Sequence, residues 1–140
     1  MNFGKTLAEL MFEKGIDSKK LSTDLNVARR SVDRWKTSSI DIGLSHLIRL
    51  CRYFNCSLDY LIGMTEQDIK PSKFEIENFG KQVRKVMKAK SISSYKLQQD
   101  TRFHGKYFLV WDKGADPKLS TLVELANYFN CSLDELVGLE

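Results

Sequence analysis

Residues 16–36 read IDSKKLSTDLNVARRSVDRWK, and this stretch decides the fold. Leu21 and Leu25 stand four apart, which places both on one face of a short helix from Ser18 to Leu25. Asn26 comes next, and its short polar side chain tolerates the left-handed backbone of a tight turn. From about Ala28 to Lys36, Val32 and Trp35 stand three apart and define the apolar side of a second helix. The pattern is a helix, a turn of three to four residues and another helix.

The flanks extend the same language. Leu7, Leu10 and Met11 recur at i, i+3 and i+4, and Gly15 follows as a helix stop. Leu44, Leu47, Ile48, Cys51 and Phe54 mark a further helix; Ser57 caps a last one carrying Leu58, Leu61 and Ile62, closed by Gly63. Five short helices are expected, with about 64 residues burying one modest core. Only Tyr107 to Trp111 offers any hint of strand alternation.

The chain then repeats itself. Tyr53-Phe54-Asn55-Cys56-Ser57-Leu58-Asp59 returns letter for letter as Tyr128-Phe129-Asn130-Cys131-Ser132-Leu133-Asp134, an offset of 75. Phe3-Gly4-Lys5 returns as Phe79-Gly80-Lys81 and Trp35 as Trp111, both at an offset of 76, so one residue is lost between Trp111 and Leu119. Met11, Ile16, Ser18, Lys20, Leu21 and Asp24 also meet identical partners at Met87, Ile92, Ser94, Lys96, Leu97 and Asp100. Two copies are too few for a solenoid, so two similar domains in tandem are expected. The expected division is 1–66 for the first domain, 67–78 for the linker and 73–140 for the second domain. Ser72 and Glu75 form a capping-box pattern that predicts the second copy's first helix from near Lys73, and Ser132 with Glu135 does the same for its last helix.

Composition narrows the function. With 42% hydrophobic and 29% charged residues the chain is globular and not disordered. No apolar stretch approaches the roughly 20 residues of a membrane span, and MNFGKTLAEL lacks the continuous apolar core of a secretory signal, so a cytoplasmic location is expected. Three cysteines cannot all pair, none forms Cys-x-x-Cys, and Cys51, Cys56 and Cys131 are expected in cores. His46 and His104 have no partner at ligand spacing, so no metal is expected. No nucleophile–base arrangement and no glycine-rich phosphate loop occurs, so neither an enzyme nor a cofactor is expected, and no small-molecule ligand is evident. Charge is distributed tellingly. Residues 1–64 hold ten basic against seven acidic side chains, as do residues 79–140, whereas 65–78 hold two against four. The excess sits on the copies and not on the join, as nucleic-acid binding allows.

The first copy, from Phe3 to Gly63 and including the ending Tyr53 to Gly63, resembles the phage-repressor (lambda repressor and Cro) or XRE-type family of helix-turn-helix regulators. The resemblance covers most of the chain when both copies are counted. It implies an all-α protein of two tandem five-helix lambda-repressor-like helix-turn-helix domains, and a sequence-specific transcriptional regulator of repressor type. Two departures stand out: Asn26 replaces the usual glycine of the turn, and Lys36 the usual acidic residue after the tryptophan.

In a helix-turn-helix the second helix enters the major groove of double-stranded DNA. Arg29, Arg30, Ser31 and Arg34 are therefore the candidates for base readout, since arginine can fork onto guanine O6 and N7. Ser18 and Lys19 at the start of the preceding helix, and Lys36, Thr37, Ser38 and Ser39 after it, are placed for phosphate. The second copy differs. Where the first has Arg29, Arg30 and Arg34, it has Gly105, Lys106 and Val110. Gly105 weakens its helix by up to about 1 kcal/mol, and Leu109 and Val110 replace exposed polar groups. Tyr107, Leu109 and Val110 are the candidate pairing surface, with a homodimer as one outcome; Lys96, Lys106 and Lys113 are its candidate DNA contacts. The rival reading is an antitoxin-like protein-interaction adaptor in which both copies serve as scaffolds.

Overall fold

A computed structural model describes residues 2–38 and 40–139. The described residues divide, after Pro71, into two compact units. The first holds α1 (Phe3–Lys14), α2 (Ser18–Leu25), α3 (Arg29–Thr37), α4 (Leu44–Phe54) and α5 (Leu58–Ile62). The second holds α6 (Phe79–Ala89), α7 (Ser94–Asp100), α8 (Gly105–Asp112), α9 (Leu119–Phe129) and α10 (Leu133–Val137). No β-strand occurs among the described residues, and Tyr107 to Trp111 is helical. No helix is long and apolar enough to cross a membrane.

Each element follows from its own residues. Asn2 and Asn78 cap α1 and α6, accepting from the backbone N–H of Lys5 at 3.1 Å and of Lys81 at 3.2 Å. The helix predicted from Lys73 therefore starts six residues later, at Phe79. Ser72 and Glu75 satisfy a capping pattern locally, but Phe79 is the first large side chain that the core accepts. Asn78 is also claimed from outside the helix: its Nδ2 donates to the carbonyls of Trp111 at 3.1 Å and Asp112 at 3.0 Å.

Gly4 and Gly80 recur for a steric reason. A methyl group at Gly4 would overlap the Lys36 carbonyl, and one at Gly80 would overlap the Asp112 carboxylate. Both glycines thus let the first helix of the unit press on the end of the third.

Leu7, Leu21, Val32, Leu47 and Leu61 are fully buried in the first unit; Val83, Leu97, Phe103, Leu122 and Leu136 are buried in the second. Cys51 and Cys56 lie in the core as expected, whereas Cys131 is only half-buried. In the first unit the turn containing Cys56 is overlaid by the segment after α5. Ser57 N–H donates to Asp68 at 2.9 Å, and Lys70 Nζ donates to the Asn55 carbonyl at 2.6 Å.

One polar tie is built twice. Tyr53 Oη donates to Asp24 at 2.6 Å, joining α4 to α2, and Tyr128 Oη donates to Asp100 at 2.7 Å, joining α9 to α7. Lys20 and Lys96 pair with the same carboxylates at 3.2 and 3.1 Å. Burial, then the carboxylate, pushes both phenols up to about 12, and the phenol hydrogen bond is the chief cause holding Asp24 and Asp100 below the usual carboxylate range.

The signs fix two pH windows. The depressed carboxylates stabilise the fold above their ordinary value of about 3.9 and lose that contribution as pH falls through the lower folded value. The raised phenols stabilise it below about 10 and lose that contribution as pH rises toward 12. Tyr53→Phe should therefore lower Tm at neutral pH, with the deficit shrinking in strong acid, and should remove one late-titrating phenol from the alkaline absorbance curve. A deficit that stays constant down to pH 2 would contradict the tie.

Candidate nucleic-acid interface

Burial sets the rotation of α3. Val32 is fully buried and Trp35 is 2% exposed, with the His46 ring 5.3 Å from the indole. The opposite arc, Arg29, Arg30, Asp33, Arg34 and Thr37, is exposed, and Ser31 stands half-buried at its edge. Asn26 adopts φ 55°, ψ 49° and turns the chain from α2 into α3 within three residues. Arg49 reaches from α4 to donate to the Leu25 carbonyl, bracing the turn from below.

The start of α3 runs against local preference. Basic side chains are favoured at helix C-termini and acidic ones at N-termini. Here Arg29 and Arg30 occupy the first turn with no acidic residue there, and Ala28 provides no side-chain cap. Arg29 and Arg30 make no ion pair or hydrogen bond with any described residue. Uncapped N–H groups and two uncommitted guanidiniums face the same water, so an anion there would gain from both.

The other expected contacts are disposed unevenly. Lys19 is exposed, but Ser18 is 5% exposed and accepts from Lys36 Nζ at 3.4 Å, linking α2 to the end of α3. Thr37 Oγ1 donates back to the carbonyls of Asp33 and Arg34 at 3.2 Å each. Ser38 closes the helix at φ 56° and is exposed, while Ser39 lies outside the described residues. Asp17 was not among the expected site residues. It caps α2, accepting from Lys20 N–H at 2.8 Å, so that terminus already carries a carboxylate. Its place directly before a helix was the signal that could have revealed it.

The second unit handles the same positions differently. Thr101 takes the place of Leu25; its hydroxyl donates to the Leu97 carbonyl at 2.7 Å and accepts from Phe103 N–H at 3.1 Å. The backbone at Thr101 is extended (φ −136°, ψ 175°), α7 ends at Asp100, and four residues precede α8. Phe103 drops fully into the core, 4.9 Å from Tyr107 and 5.8 Å from Trp111. As a result α8 packs chiefly on α6, and α7 and α8 approach far less closely than α2 and α3.

Its arginines are spoken for. Arg84 holds Asp112 through two bonds of 2.6 and 2.8 Å and covers the Phe108 ring at 5.0 Å. Arg102 binds Glu124 at 3.0 Å and the Tyr107 hydroxyl at 2.8 Å, stacking over Phe103 at 4.5 Å. Among the lysines, Lys96 is paired with Asp100, while Lys106 and Lys113 are exposed. Tyr107 is half-buried in this aromatic cluster, but Leu109 and Val110 stand 60% and 48% exposed.

A family model described as Cro/C1-type HTH DNA-binding domain matches residues 6–67 and again 82–140. No curated protein and no solved structure matches the chain.

The contrast in arginine use predicts a contrast in stability. Arg30→Ala should change the unfolding free energy by less than about 0.5 kcal/mol, whereas Arg102→Ala should cost about 1 kcal/mol through its lost carboxylate and ring contacts. Urea denaturation of the two variants decides; equal losses would contradict the assignment of Arg30 as uncommitted.

Proposed function

The chain belongs to the Cro/C1-type helix-turn-helix DNA-binding family, and from that premise we propose a sequence-specific regulator of transcription that binds double-stranded DNA as a repressor. The first copy reads bases through Arg29, Arg30, Ser31 and Arg34 on α3. Phosphates on either side are met by Lys19 and by Lys36, Thr37 and Ser38. A protein seated in the major groove of a promoter blocks access by occupancy alone, so repression needs no contact beyond the DNA.

The observation that carries this reading is the exposed arc of α3, where arginines cluster at an uncapped helix start and find no acidic partner in the first turn. The division of labour between the copies is part of the proposal. In the second copy the arginines are bound internally and the corresponding arc presents Leu109 and Val110 to water. Apolar surface gains about 25 cal/mol for each Å2 removed from water, so this arc suits pairing better than phosphate. Pairing through it would make a homodimer. Two first copies could then meet successive major grooves about 34 Å apart, on a site of twofold symmetry.

Binding should weaken with salt along a log–log slope of about −0.9 for each phosphate neutralised. On a selected site, Arg30→Ala and Arg34→Ala should each cost about 1–3 kcal/mol and relax base preference, while Lys19→Ala should weaken all sequences alike. A salt-independent affinity measured by fluorescence anisotropy would sink the DNA reading. Separately, Leu109→Asp combined with Val110→Asp should halve the mass seen by light scattering. Identical masses for wild type and variant would rule out pairing through this arc.

A further inference from the structure

The exposed arc of α3 carries one residue that a purely cation-based account leaves unused. Asp33 lies four residues from both Arg29 and Thr37 and three from Arg30, which places it between Arg29 and Thr37 on the exposed arc. It is exposed, and its carboxylate makes no ion pair or hydrogen bond with any described residue. Arg29 does not neutralise it, and an arginine four residues before an acid is the weaker order for such a pair on a helix. A free carboxylate facing a polyanion lowers affinity for every sequence. That loss is offset only where the groove offers a hydrogen-bond donor.

The edges of the bases then sort themselves. An ionised carboxylate only accepts hydrogen bonds. Guanine presents O6 and N7 acceptors and thymine an O4 acceptor, so both repel it; cytosine presents the N4 amino group and nothing that repels, while adenine sets N7 beside its N6 amino group. We infer that Asp33 is a specificity-determining residue that accepts from the N4 amino group of a cytosine. It does so beside guanines read by the neighbouring arginines, giving a G·C-rich core to the site. This inference rests on the DNA-binding reading above. It adds a discriminator against keto-bearing bases to the attractive contacts already proposed.

The test is selection of bound duplexes from a random pool by the full chain, with wild type, Asp33→Asn and Asp33→Ala run in parallel. Wild type should enrich sites with one position at which cytosine is favoured and guanine and thymine are depleted about tenfold or more. Asp33→Asn should move that position toward adenine, which an amide can read through N6 and N7. Asp33→Ala should level it, while raising affinity for unrelated DNA because a repelling charge is gone. Enriched sites with the same preference at every position in all three proteins would overturn the role of Asp33 and leave the DNA-binding reading standing. No enrichment by wild type would overturn both. Because Asp33 is exposed, superimposable thermal melts of the three proteins check that folding is not what changed.

Discussion

The burial of one tryptophan on the third helix of each unit governs what that helix can offer. Trp35 is 2% exposed and Trp111 3%, and removing so large a buried side chain typically costs about 3–5 kcal/mol. That cost fixes the rotation of the helix about its axis. In the first unit Val32 buries with the tryptophan; in the second, Phe79, Phe103 and Phe108 surround it at 5.0 to 5.8 Å. The same turns of helix therefore face outward in both units. What differs is the handful of side chains they carry: Arg29, Arg30, Asp33, Arg34 and Thr37 in one, Gly105, Lys106, Leu109, Val110 and Lys113 in the other.

Net charge alone would not separate the two copies, since each holds ten basic and seven acidic residues. Placement separates them. In the second unit the guanidiniums of Arg84 and Arg102 are each fixed by a carboxylate and spread over an aromatic ring. In the first, Arg29 and Arg30 stand at an uncapped helix start, an arrangement that costs local stability in the absence of an anion. A local rule broken on an exposed surface is where function is expected to have displaced stability. The tie of Asp24 to Tyr53 recurs as that of Asp100 to Tyr128, so the two units share this element of the scaffold while their outer arcs differ.

Much of this was legible in the letters. The repeated seven residues announced two domains, the spacing of Val32 and Trp35 announced which side of α3 is buried, and Asn26 announced the left-handed turn that the structure contains. Three features were not. The start of α6 lies beyond the Ser72–Glu75 capping pattern because Phe74 and Ile76 are only half-buried, whereas Asn78 supplies a cap and Phe79 enters the core. The altered turn of the second unit depends on Thr101 bonding back to Leu97 while Phe103 sinks inward, a choice settled by packing and not by propensity. Ser18 looked like a surface phosphate ligand by position, yet it lies buried against Lys36, which tertiary packing alone decides.

On the proposed reading, the first unit meets DNA through α3 and the second unit does not meet it through α8. Backbone hydrogen exchange on the full chain, with and without a selected duplex, tests this most directly. Slowed exchange is expected in Arg29 to Thr37 and at the start of α2, with Gly105 to Asp112 unchanged by DNA once exchange is compared at the same oligomeric state. Equal slowing of both segments, or slowing confined to Gly105 to Asp112, would contradict it.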